Sequence, residues 1–468
     1  MPHKSVRFRP EIEPVVRLLE ETPRERLLED IAQRIRQGLK YSELLAALLL
    51  AGVRNIQPRP VGFKFHAVLV VNSAHLASLA SPDTDRWLPI FWALDHFKES
   101  QARDISEGDW TMGPVLESAL PSPAKARQVF VNSMNNWDEA GADASVAVLA
   151  RNTRSDELFE ILCPYGARDF RDIGHKAIYV ANAWRTLQHI GWQHTEPVVR
   201  SLAYALLYHE GGNPAKRDAP ADRPWRRNQE LATKIRKEWM QGKLSVEATT
   251  DLLACLREGA SEEVCAKVVA QLNDGIDPQS IWDALFLGAG ELLMRQPGLV
   301  ALHAVTSTNA LRFAWQTSKS DETRKLLLLQ TAAFLTLFRD DRASDKAVRI
   351  DAFEPLALKG NGQSTIEEIF AEISNDRMTA ARKMAAYLKQ NPQSDKSPSG
   401  LMDAARRLIF LKGMNSHDYK FSSAVLEDYF QVSPRWRDRY LAASAFNLRG
   451  SGGPDNELVK RTRAALQS

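Results

Sequence analysis

Histidine is the residue type through which this chain could do chemistry. Ten occur in 468 residues, and seven of them lie between positions 66 and 209: His66, His75, His96, His175, His189, His194 and His209. Neutral imidazole is the commonest ligand for zinc, copper or iron, and its pKa suits proton transfer near neutrality. Four of the ten follow an internal pattern. Gly38–Gly52 aligns with Gly275–Ala289 at an offset of 237 residues, with Ala47 over Ala284, Leu48 over Leu285 and Leu50 over Leu287. Without a gap, the same offset places His66-Ala67-Val68 on His303-Ala304-Val305, Asn72 on Asn309 and Pro60 on Pro297. Weaker copies begin at Asp156 and Ile366 and lead to His175 and His417; the four histidines are then 109, 128 and 114 residues apart.

Equivalent positions in repeated helical units can converge, as ligands do in helix bundles. His66, His175, His303 and His417 are therefore expected to bind a metal (iron or another transition metal) or to face a bound substrate. His75 or His209 would complete the site as catalytic acid or base. His75 lies nine residues beyond His66, about two and a half helical turns on and on roughly the same face. The plain alternative is a set of hydrogen-bonded core histidines retained from one ancestral unit. For His209, at a helix end, the alternative is interaction with the negative end of the helix dipole.

Other chemistries leave no recognisable motif, with Ser-His-Asp catalysis still open. No His-Glu-x-x-His occurs, no Cys-x-x-Cys, no phosphate-binding Gly-x-x-x-x-Gly-Lys-Ser/Thr loop, no dinucleotide fingerprint and no Gly-x-Ser-x-Gly elbow. Gly288-Ala-Gly290 lacks a third glycine and reads as close helix packing. The three cysteines, Cys163, Cys255 and Cys265, make no disulfide framework and fit a reducing compartment. Among eleven tryptophans, Trp184, Trp192 and Trp315, with Tyr179 and Phe65, could line a pocket for a flat apolar ligand, or could simply pack helices.

The elements that must position these residues are helices. Leu27, Leu28, Ile31, Ile35 and Leu39 recur at three- and four-residue steps. Thr22-Pro23-Arg24-Glu25 reads as a capping box with Thr22 as N-cap. Similar runs at 42–52, 124–133, 143–151, 157–162, 195–208, 229–240, 245–258, 261–272, 279–294, 322–338 and 401–411 predict an all-α protein. The duplication predicts two pseudo-equivalent halves of helix-pair repeats: residues 1–215, then a linker with connecting helices over 216–260, then 261–468. Pro- and Gly-rich segments at 211–224 and 389–400 read as linkers. A near-balanced charge of +3 argues against nucleic acid as a partner. No apolar leader and no membrane-length apolar run is present, so the expectation is a cytoplasmic protein without a membrane partner. The apolar runs near Leu44–Leu50 and Leu326–Leu329 could serve a homo-oligomer interface as well as a core.

Three segments together resemble a family. Leu302-His303-Ala304-Val305-Thr306-Ser307 is similar to the His-x-Val-Thr-Ser segment of questin-oxidase-like proteins. Ile173-Gly174-His175-Lys176-Ala177-Ile178-Tyr179 resembles that family's upstream His helix, departing at Lys176 and Tyr179, and Asn72-Ser73-Ala74-His75-Leu76 resembles its N-terminal one. The resemblance implies an all-helical oxidase that inserts oxygen into a polycyclic aromatic ketone using reduced nicotinamide (NADPH). The combined expectation is an oxygen-using, metal-dependent oxidoreductase acting on an apolar or aromatic small molecule in a histidine-lined pocket between the duplicated halves. The competing expectation is a non-catalytic helical-repeat scaffold.

Overall fold

The computed structural model describes residues 5–339, 344–358, 360, 362–391 and 400–467. Among them it forms 23 α-helices and six short 3-10 turns. One isolated parallel bridge, Lys243 with Ile276, is the sole extended pairing among the described residues. The all-α expectation holds. No helix among the described residues is long and apolar enough to cross a membrane.

The chain folds as two compact units: residues 1–166, 175–219 and 457–468 in the first, residues 167–174 and 220–456 in the second. It passes between them at 166/167, 174/175, 219/220 and 456/457, the third crossing lying inside the Pro- and Gly-rich stretch 211–224. The helices Arg223–Thr233 and Val246–Glu258 belong to the second unit, while the last helix, Glu457–Gln467, belongs to the first. Of the other linker read from sequence, 389–400, residues 392–399 lie outside the described residues.

The first unit is built around the helix Tyr41–Asn55, whose Leu- and Ala-rich run is buried from Leu44 to Arg54. A helix apolar on every side belongs in a core rather than on a surface, and six helices of the unit pack on this one: Glu13–Glu21, His66–Leu69, Val71–Leu79, Leu88–Glu107, His175–Ile190 and Thr195–Leu207. Arg54, 2% exposed, is held there by Glu13 at 2.8 Å and Glu20 at 2.6 Å. In the second unit the central helix is Pro278–Arg295, buried along nearly its whole length. A Cβ at Gly288 would stand 3.2 Å from Leu256, and one at Gly290 3.0 Å from Ile350, so the two glycines serve close packing. The helices Leu299–Thr317, Asp321–Phe338 and Ser416–Asp428 complete this core.

Local readings differ from the structure in identifiable ways. Thr22 does not cap the helix Arg24–Arg36; Pro23 holds the N-cap position, without a side-chain cap bond. Thr22 is already the C-cap of Glu13–Glu21, its N–H donating to the Leu18 carbonyl. The run 229–240 is helical only to Thr233. Beyond it, the Asn273 side chain takes the Arg236 N–H and donates to the Lys234 carbonyl, and the chain turns to bury Trp239. The helices Leu88–Glu107 and Arg377–Gln390 form where the sequence pattern predicts none.

Candidate metal centre

In the first unit, the chain turns through Phe63–Phe65 into the short helix His66–Leu69. The His66 ring is buried at 1% exposure, and its Nδ1 lies 2.9 Å from the Gly62 carbonyl, one turn back. A carbonyl only accepts, so Nδ1 carries the proton and Nε2 presents its lone pair. That Nε2 lies 3.1 Å from Nε2 of His175, also 1% exposed, with ring centroids 4.9 Å apart. His175 is the first residue of the helix His175–Ile190. Two successive residues in the left-handed region, Ile173 at φ 43° and Gly174 at φ 82°, turn the chain into that start.

The second unit repeats the arrangement with other residues. His303, in the helix Leu299–Thr317, sets Nδ1 2.6 Å from the Leu299 carbonyl, again one turn back, which leaves Nε2 as its ligand atom. His417 stands near the start of Ser416–Asp428, where the Asn415 side chain accepts the His417 N–H at 2.9 Å. The rings of His303 and His417 meet edge to face, centroids 5.1 Å apart.

His66, His175, His303 and His417 form one group: all four are buried, and their ligand atoms lie within 4.8 Å of one another. Such a group could hold a metal ion. Metal–imidazole bonds of roughly 2.0–2.1 Å place opposed nitrogens about 4.2 Å apart, so side-chain shifts of roughly a few tenths of an ångström close the set. No carboxylate or thiolate is in the group, so a bound dication would keep its full charge. Nitrogen donors suit iron, copper, nickel or zinc, and not the oxygen-seeking magnesium or calcium. The carbonyls behind His66 and His303 are the outer partners that fix tautomer and ring orientation at metal sites.

Electrostatics favour the neutral form of the His303 imidazole, the form a metal requires. Burial pushes the His303 pKa well below its ordinary value, helped by Lys420 and His417; the Leu299 carbonyl opposes the shift. Lys420 escapes a reading of the sequence. It is 2% exposed, its Nζ has no hydrogen-bond partner among the described residues, and burial pushes its pKa down to about 7. The available signal is its position three residues after His417, which puts both on one helix face.

The other histidines singled out from sequence stand outside this group. His75 is buried on the helix Val71–Leu79, its Nδ1 3.0 Å from the Tyr41 hydroxyl and its ring 4.1 Å from that of His189. Burial, with His189 and Arg86 nearby, pushes its pKa down to about 4. His209 donates from Nδ1 to the Leu207 carbonyl at 2.9 Å and packs edge-on against Trp137. Trp184 and Trp192 pack with Phe159 in the first unit, and Trp315 packs on Trp282 in the second. Compared with family models, curated proteins and solved structures, the chain matches none.

Proposed function

We propose that this protein is a metal-dependent oxidoreductase, in which His66, His175, His303 and His417 hold iron or another transition metal and oxygen is used on an apolar or aromatic small molecule. The observation that carries the reading is the gathering of four buried imidazoles, 351 positions from first to last in sequence, within 4.8 Å. Iron held by these four histidines would supply oxygen-activating redox chemistry at the site. The chain's part is to hold the ligands buried and correctly turned. The Gly62 and Leu299 carbonyls set the tautomers of His66 and His303, and Asn415 anchors the helix start that carries His417. The reading needs no acid–base role for His75 or His209.

The shared use of a carbonyl one turn back by His66 and His303, at positions related by the same offset of 237, supports the duplication read from sequence. The three segments that resemble questin-oxidase-like proteins support an oxygen-inserting reaction with reduced nicotinamide as electron source. A helical-repeat scaffold has no need to bring four imidazoles together in a buried place.

The test is elemental analysis by mass spectrometry of protein purified without a His tag or chelator, beside the His66→Ala/His303→Ala double variant. About one equivalent of iron, copper, nickel or zinc is expected in the parent protein and loss of it in the folded variant. Oxygen consumption by the iron-loaded protein with aromatic substrates and NADPH is the following assay. A parent protein that stays metal-free after incubation with each ion refutes the reading.

A further inference from the structure

The first unit carries a cleft of about 430 Å³ away from the four-histidine group. One wall is the extended N-terminal segment. The Val6 N–H donates to the Met112 carbonyl at 2.7 Å and the Val6 carbonyl accepts from Arg54 at 3.1 Å, which pins the segment. Side chains alternate along extended chain, and Arg7 and Arg9 share one side. Both are exposed, both line the cleft, and neither has an ion-pair partner among the described residues. The opposite wall is the turn Trp192–His194 and the start of the helix Thr195–Leu207. Trp192 offers part of its ring to solvent, at 36% exposure.

One buried side chain of this wall, His194, is left to meet a ligand. The helix Thr195–Leu207 begins at the cleft without a side-chain cap, its first turn carrying Glu196, its Thr195 N–H donating to the Trp192 carbonyl and its Pro197 having no N–H to offer. His194, 8% exposed and lining the cleft, makes no ring hydrogen bond to any described residue, and burial together with Arg9 lowers its pKa. Arg151 also lines the cleft but is already held by Glu196 at 2.7 Å and Glu117 at 3.0 Å. The lining side chains thus carry three positive charges against one negative, and the two arginines at the rim are uncommitted.

We infer that this cleft binds a flat-ringed organic anion of mononucleotide size, its phosphate against Arg7 and Arg9, its ring stacked on Trp192. The cleft volume lies in the range of small-ligand sites, roughly 300–1,000 Å³. Guanidinium groups match phosphate oxygens in pairs, and an indole face accepts any heteroaromatic ring. His194 adds one imidazole nitrogen for a sugar hydroxyl or phosphate oxygen.

The probe is adenosine 5′-monophosphate, titrated calorimetrically into the full-length protein, with adenosine, ribose 5-phosphate and inorganic phosphate as the separating arms. Saturable binding of the monophosphate is expected, at least about tenfold tighter than each of the three fragments. Arg7→Ala/Arg9→Ala and, separately, Trp192→Leu should each weaken it by about tenfold or more, the range of one stacking or paired-donor contact. His66→Ala/His303→Ala should leave it unchanged, which separates this site from the proposed metal centre. Absence of saturable binding overturns the proposal, as does binding that the arginine pair does not affect. Inorganic phosphate binding as tightly as the monophosphate overturns the ring-stacking assignment. Arg7 and Arg9 are exposed, so the arginine variant keeps the test available should Trp192→Leu fail to fold.

Discussion

Gly174→Ala should damage both the stability of the protein and its four-histidine group. Gly174 adopts φ 82°, and a Cβ built there would stand 2.5 Å from the Ser307 Cβ and 3.0 Å from its Oγ. An L-residue in the left-handed region costs roughly 1–2 kcal/mol. A carbon–carbon approach about 1 Å inside van der Waals contact adds an overpacking cost of about 1–3 kcal/mol. The expected loss is therefore about 2–5 kcal/mol. Ser307 cannot retreat cheaply, because its hydroxyl donates to the His303 carbonyl at 2.6 Å within the helix that carries His303. His175 is the next residue after Gly174, so relief by backbone movement displaces the ring that faces His66. The assay is a double-mutant cycle with Ser307→Gly, read by urea unfolding and by metal content. Ser307→Gly in the Gly174→Ala background should recover the overpacking share, about 1–3 kcal/mol, and leave the dihedral share. A Gly174→Ala protein within about 0.5 kcal/mol of the parent, or a cycle with no coupling, refutes the reasoning.

Three further outcomes follow from the same structure. Arg54→Ala should cost about 3–5 kcal/mol in urea unfolding, because it strands the carboxylates of Glu13 and Glu20 beside a buried position. His75 has its folded-state pKa pushed down to about 4 from an ordinary 6.5. Between those values the unfolded chain binds a proton that the folded one does not, so stability falls as pH drops from about 6.5 towards 4. The full loss is at most about 3 kcal/mol, and stability measured against pH should lose this component of its slope in His75→Gln, whose neighbours Tyr41, His189 and Arg86 remain. Dialysis of metal-loaded protein against a strong chelator should lower the unfolding temperature of the parent and leave that of His66→Ala/His303→Ala unmoved, since only a ligand bound to the folded state stabilises it.

One apolar stripe against a wet opposite face makes a helix legible in the sequence: Leu27, Leu28 and Ile31 mark the buried face of Arg24–Arg36 without any tertiary information. Boundaries were less legible, because a cap is a contest between neighbours. Thr22 has cap chemistry for the helix after it, yet closes the helix before it. Leu88–Glu107 escaped notice because its first half is buried almost all round, which blurs the stripe.

The candidate site divides in the same way. Residue type and the 237-residue offset named His66 and His303, and weaker look-alike segments added His175 and His417, since ligand chemistry and local pattern are properties of the chain itself. Their approach to within 4.8 Å is a long-range result of packing, which no local pattern encodes. Helical spacing from His66 nominated His75, which tertiary structure hands instead to Tyr41 and His189. Lys420 marks the opposite limit: in sequence it is one of 61 basic residues, and only the helices folded around it make it a buried amine of lowered pKa. Sequence by itself determined the helical periodicity and the identity of the four imidazoles; tertiary structure alone decided which groups lost their water, because desolvation depends on neighbours that are distant along the chain.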